Sequence, residues 1–419
     1  MTFLEKLHHP EYYIKTFLKW SVLSLLVGVV GGLLGAAFHH VLHFVTHIRG
    51  EHNWLIFLLP VGGLLTVAIY MLLGVRKNRG TNEVIDAVIQ NQPVSPMVAP
   101  AVFLASAVTH LFGGSAGREG AALQIGASVA SKLGKLLGLQ DHNRSILITC
   151  GMSAVFAGLF GTPLTATIFC MEFVSVGTLF TPALLPCYVA ALFASRVSGA
   201  LGVHAETYML ETAAALNLTN IGGTVLLAIL VSGLGVFMCT FFHKAEHLAA
   251  HHLPNRWLRI AIGGAVITIM TLLVGDQRFN GAGMDMAMKA LGGTADWYSF
   301  LLKMLFTAVT LAAGFKGGEI VPTFCIGATF GCVVGALLGL EPGIAAALGL
   351  IGLFCCATNS PLASIVLSVE MFGGANLYLF ALVCVICFVL SGTSGLYASQ
   401  IIQYDKIDRN LIREEKASE

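Results

Sequence analysis

Residues 113–127 read GGSAGREGAALQIGA, and residues 314–328 read GFKGGEIVPTFCIGA. Each is a glycine-rich break followed by a small-residue helix that reaches the same Ile-Gly-Ala. Glycine removes the Cβ and lets backbone N–H groups face a bound ion, while the helix behind adds its positive N-terminal end. That combination favours an anion without needing a formal cation. Pro322 suits the first turn of the second helix, where its missing N–H is not needed.

Working outward, other markers repeat. Leu136, Leu137, Gly138 and Leu139 return as Leu337, Leu338, Gly339 and Leu340, and Gly134 returns as Gly335. Pro163-Leu164 leads to Glu172, and Pro361-Leu362 leads to Glu370 at the same spacing. Phe38-His39 continues to His43 and His47, while Phe242-His243 continues to His247 and His251. Markers at a nearly constant offset identify a duplicated unit. We read residues 1–215 and 216–400 as the two repeats and 401–419 as a charged tail.

Composition places this duplication in a membrane. The chain has 419 residues, of which 56% are hydrophobic and 11% charged, with mean hydropathy +0.82. Soluble domains carry about 25% charged residues. Residues 54–75, 221–242 and 371–404 hold no charge, and about 18 apolar residues suffice for a spanning helix. Residues 1–20 contain Glu5 and Glu11 and lack the apolar core of a signal peptide, so they read as a short amphipathic surface helix before the first span. Most of the ten cysteines sit in apolar stretches and read as small hydrophobes. No spacing suggests a disulfide framework or zinc site. The net charge of +1 gives no reason to expect a nucleic-acid partner.

Breaks at corresponding positions of two membrane repeats point to an ion site at mid-depth, because freed backbone groups must line a cavity or be satisfied by protein. Glu119 lies inside one break. A carboxylate there stands where an anion would stand, and protonation would withdraw it. The plainer reading is a helix-capping acid, but an acid between apolar segments is functional by default. Either histidine series, at i, i+4, i+8, could bind a metal, but reads better as the polar end of a membrane helix. Arg76, Lys77 and Arg79 mark a cytoplasmic loop, and Arg409, Arg413 and Lys416 a solvated tail.

These motifs resemble the CLC family of anion channels and transporters. Gly117, Arg118, Glu119 and Gly120 resemble its GREGP, with Ala121 in place of proline. Residues 318–322 resemble its GxFxP, with Ile320 in place of phenylalanine. Residues 162–172 and 360–371 are similar to its two PL…E helices, and Tyr397 falls at its pore tyrosine. The resemblance covers roughly residues 20–400. It implies an all-α polytopic membrane protein with an inverted repeat of tilted and broken helices, and a homodimer with one pathway per subunit. It also implies a prokaryotic inner-membrane location and no regulatory domain after the last span. It makes Glu119 the external gate and proton carrier, with Gly117, Arg118, Gly120, Gly318, Glu319, Ile320 and Tyr397 around the anion.

Two departures sharpen the expectation. The family's first anion motif, GSGIP, is replaced by Asn78-Arg79-Gly80-Thr81-Asn82. A gapless match puts Arg79 at the serine, and a slipped one offers Thr81 or Asn82. Phe173 stands where chloride/proton exchangers carry their inner acid. With GFKGGE, these losses resemble the fluoride-exporting, proton-coupled branch of the family, in which Glu319 would be a second acid.

The expected function is therefore fluoride export coupled to proton import. The alternatives are a chloride-selective channel or chloride/proton exchanger, and a convergent transporter of a small organic solute. Nothing in the sequence suggests an enzyme, and no cofactor or metal is expected.

Overall fold

A computed structural model of the chain describes residues 10–75, 79–139, 141–208, 210, 213–403 and 406–407. Arg76, Lys77 and Asn78 of the first motif region lie outside the described residues, as do residues 1–9 and the tail arginines. The first repeat runs α1 (Pro10–Glu51), α2 (Leu59–Leu72), α3 (Thr81–Ile89), α4 (Val98–Phe112), α5 (Glu119–Leu136), α6 (Asp141–Phe160), α7 (Pro163–Glu172) and α8 (Leu184–Ala200). The second runs α9 (Leu218–His252), α10 (Arg256–Val274), α11 (Met284–Leu291), α12 (Ser299–Ala313), α13 (Ile320–Leu337), α14 (Pro342–Thr358), α15 (Pro361–Phe372) and α16 (Leu377–Leu390). Each helix of the first series has a counterpart of the same rank in the second.

Seven described helices are long and apolar enough to cross a membrane. α1 has 42 residues and so measures about 63 Å, twice the roughly 30 Å hydrocarbon layer. It must tilt or project. The segment expected to form a separate surface helix is, from Pro10 onward, the start of this helix.

The counterparts share local chemistry. α4 and α12 both stop at a left-handed glycine, Gly113 with φ 88° and Gly314 with φ 100°, which a side chain would strain. Close packing repeats too: a Cβ on Gly126 would collide with the backbone of Gly151, and one on Gly327 with that of Gly349. Small residues thus set the approach of α5 to α6 and of α13 to α14, as membrane helix packing requires.

α7 and α15 reveal the symmetry. Glu172, at the end of α7, accepts hydrogen bonds from Leu362 N (3.0 Å) and Ala363 N (2.8 Å) at the start of α15. Glu370, near the end of α15, accepts from Leu164 N (3.0 Å) and Thr165 N (2.8 Å) at the start of α7. Each acid supplies acceptors that the first turn of the opposite helix lacks. The equivalent helices therefore run antiparallel, as an inverted repeat demands.

The histidine series make contacts within each repeat. His39 stacks on His43 in α1 and His247 on His251 in α9. His40 Nε2 pairs with Leu201 O and His243 Nε2 with Gly395 O, each at 2.8 Å.

The C-terminal strand β2 (Ile401–Ile402) pairs in parallel with β1 (Ser175–Val176) behind α7, bringing residues 395–400 into the centre of the molecule. Lys406 does not join a solvated tail. Its Nζ donates to Asn359 Oδ1 (2.6 Å) and Ser391 Oγ (2.8 Å) at the ends of α14 and α16.

Candidate anion site at the junction of the repeats

The two breaks meet. Gly117 N donates to Gly318 O at 2.7 Å, and Gly318 N to Gly117 O at 2.8 Å. This antiparallel bridge sets the start of α5, Glu119, beside the start of α13, Ile320. Two helix N-termini, rich in backbone donors and positive in potential, thus open at one place.

Glu119 fills that place. Its side chain is fully buried, and Oε2 accepts from Arg118 N at 3.1 Å. A Cβ on either Gly117 or Gly318 would collide with this oxygen, so the two glycines form its cradle. Oε1 has no hydrogen-bond partner among the described residues. The carboxylate lies in a nest of backbone groups with one oxygen uncommitted.

The third contributor is α3. Thr81 is buried at its first position, and a Cβ on Gly120 would stand 2.9 Å from Thr81 Oγ1. Asn82 turns away: its Oδ1 accepts from Ser399 N at 2.9 Å. Arg79, which precedes α3, pairs with Asp86 of that helix and is largely exposed. Of the three positions the sequence left open, Thr81 is the one that reaches the α5 N-terminus.

Tyr397 is buried, and its hydroxyl has no partner among the described residues. Its ring meets Phe173 edge-on at 5.6 Å, and Phe173 stacks on Phe169 at 4.8 Å. The position of the family's inner acid is thus part of an aromatic wall. Gln400 fixes the tyrosine segment, its Nε2 donating to Phe173 O (2.6 Å) and Thr358 O (2.8 Å).

Ile320 is buried at the start of α13, and Glu319 precedes it as the N-cap. The charged groups around Glu319 are Glu246, Glu119 and Lys316, and the Lys316 ammonium lies 4.9 Å from the Tyr70 ring centroid.

Arg118 contributes only its backbone to the cradle. Its guanidinium pairs with Glu206, lies 3.3 Å from His39 Nδ1, and sits 5.0 Å from the Phe160 ring centroid. Glu206 in turn shares a cavity of about 20 Å³ with Glu119, Phe156, Phe160, Thr162, Phe324, Phe354, Leu367 and Met371. One water needs about 10–15 Å³, so the space suits a single water or an ion of that size.

Behind the first break stands Lys303, fully buried in α12. Its Nζ donates to Ser115 Oγ (2.9 Å), Phe279 O (3.1 Å) and Gly281 O (2.6 Å). Asn280 Nδ2 adds a bond to Gly113 O at 2.8 Å. Lys303 and Glu206 escaped the sequence reading. A lone lysine in the apolar run 299–313 was a readable signal; a glutamate in the polar stretch 204–207 was not.

A family model described as voltage gated chloride channel matches residues 62–392. The chain belongs to the CLC family. A chloride/fluoride channel protein of Pseudomonas syringae pv. tomato is 33% identical over 425 residues, covering 99% of this CLC chain and 94% of the relative. An H(+)/Cl(-) exchange transporter, ClcA, of Vibrio vulnificus is 25% identical, covering 94% of this chain and 92% of the relative.

Among solved structures, a CLC-type fluoride/proton antiporter superposes with TM-score 0.89 at 32% identity, covering 92% of this chain and 98% of its own. A slow cyanobacterial Cl-/H+ antiporter superposes at 0.75 with 20% identity, covering 89% and 94%, which speaks to fold alone. The protein is thus an all-α, multi-pass membrane CLC of anion and proton transport. Members of this family are channels or transporters, so it is not an enzyme.

Proposed function

We propose that this CLC protein is a fluoride/proton antiporter in which Glu119 is both gate and proton carrier. The observation that carries the reading is the Glu119 carboxylate lying in the Gly117–Gly318 cradle between two helix N-termini. A carboxylate and an anion compete for such a nest. Protonation frees the nest for an anion, and the same proton lets the carboxyl donate a hydrogen bond. Fluoride is a small, strong acceptor for that bond.

The fluoride assignment is further supported by Thr81 in place of the serine motif and by Phe173 in place of the inner acid. Glu319, at the start of the paired helix, is the second acid of the proposed proton route. Gly120, Ile320 and Tyr397 complete the anion's surroundings. The solved fluoride/proton antiporter supports the same ion, while the relative's name gives both chloride and fluoride.

The proposed transport unit is a homodimer in the cell membrane, residues 1–215 and 216–400 supplying the two repeats of each subunit. Efflux from proteoliposomes tests the ion: fluoride should leave far faster than chloride at equal gradients. Equal rates for the two anions would remove the fluoride assignment.

A further inference from the structure

The cavity beside Glu119 is lined by a second carboxylate, Glu206, while its other walls are apolar apart from Thr162. An anion in so small a space is repelled by both acids unless each is neutralised. A proton neutralises Glu119 in the function proposed above, on which this inference rests. Glu206 is neutralised by Arg118, whose side chain is 16% exposed. Because Arg118 immediately precedes Glu119, the pair stands one residue from the gate. The Glu206 segment is anchored to the cavity wall, with Glu206 N donating to Phe160 O at 3.2 Å and Tyr208 N to Met371 O at 2.7 Å.

We propose that Glu206 and Arg118 form a latch over the cavity, and that the Arg118 guanidinium is a docking subsite for a small inorganic anion that competes with the Glu206 carboxylate. A guanidinium with few water contacts recognises one anionic partner strongly. While Glu206 holds it, the subsite is closed. When an anion takes the place of the carboxylate, it stands at the mouth of the cavity that leads to Glu119. His39, 3.3 Å from Arg118, adds a polar neighbour to the guanidinium. Glu206 is accordingly a positioning residue, acting through Arg118.

The test is the fluoride dependence of initial efflux from proteoliposomes. Glu206→Gln removes the competing charge and keeps the side-chain shape. The half-saturating fluoride concentration should fall roughly fivefold, the size of one partly screened charge interaction. Glu206→Asp, still anionic, should lie between wild type and Glu206→Gln. In an Arg118→Gln background, Glu206→Gln should cause no shift. A Glu206→Gln protein that lowers only the maximal rate, with half-saturation unchanged, would make the pair a structural brace and overturn the latch. So would a shift that persists without Arg118. Glu119→Gln, measured in parallel, separates the two readings. Proton coupling retained there removes the gate without touching the shift at Glu206, and coupling lost with no shift removes the latch alone.

Discussion

Proteoliposomes carrying Glu119→Gln should lose anion-driven proton movement. The amide has the shape of the carboxyl, so the fold around Gly117 and Gly318 has no reason to change. It cannot ionise, so it neither competes as an anion for the nest nor releases a proton. Proton flux driven by an anion gradient should drop to the level of protein-free vesicles, while the protein keeps the wild-type elution profile in chromatography. Unchanged proton movement would make Glu119 an ordinary capping acid, the plainer of its two readings.

Gly318→Ala should be nearly as damaging, for a steric reason. A Cβ at residue 318 would stand 2.9 Å from Glu119 N and 2.9 Å from Gly120 N, and would collide with Glu119 Oε2. Two of these neighbours are backbone atoms at the start of a buried helix, so neither yields cheaply. The α5 N-terminus must shift, and a displacement of about 1 Å in a reacting site costs roughly a hundredfold in rate. Fluoride efflux should fall by that order. Gly222→Ala is the control, since its Cβ meets nothing within 4 Å; it should transport as wild type does. Equal activity of the two variants would mean that the cradle is not the transport site.

The sequence showed the repeats, the breaks and the acid between them, because each rests on local chemistry. A glycine needed at positive φ, as at Gly113 and Gly314, leaves its mark in one short stretch. The PL…E helices were also readable as paired markers. That Glu172 and Glu370 cap each other's helices was not, since the partners are about two hundred residues apart and meet only through the inverted fold. Thr81 and Asn82 were equivalent on paper. Their difference is one of direction: consecutive residues at a helix start point about 100° apart, so one reaches Gly120 and the other Ser399. Arg118 was expected beside the anion because it sits in the motif. Its side chain leaves the cradle for Glu206, a long-range partner with no local sequence signature. Lys303 did have one, as the single charge of an apolar helix, and its three acceptors give that charge a reason to be there.

The most direct measurement is proton movement in proteoliposomes carrying the wild-type protein, loaded with fluoride and diluted into fluoride-free medium. Outward fluoride flow should draw protons inward against their gradient, the external medium should turn alkaline, and an equal chloride gradient should move far fewer protons. Fluoride leaving with no proton movement, or chloride driving protons as well as fluoride does, would contradict fluoride/proton exchange through Glu119.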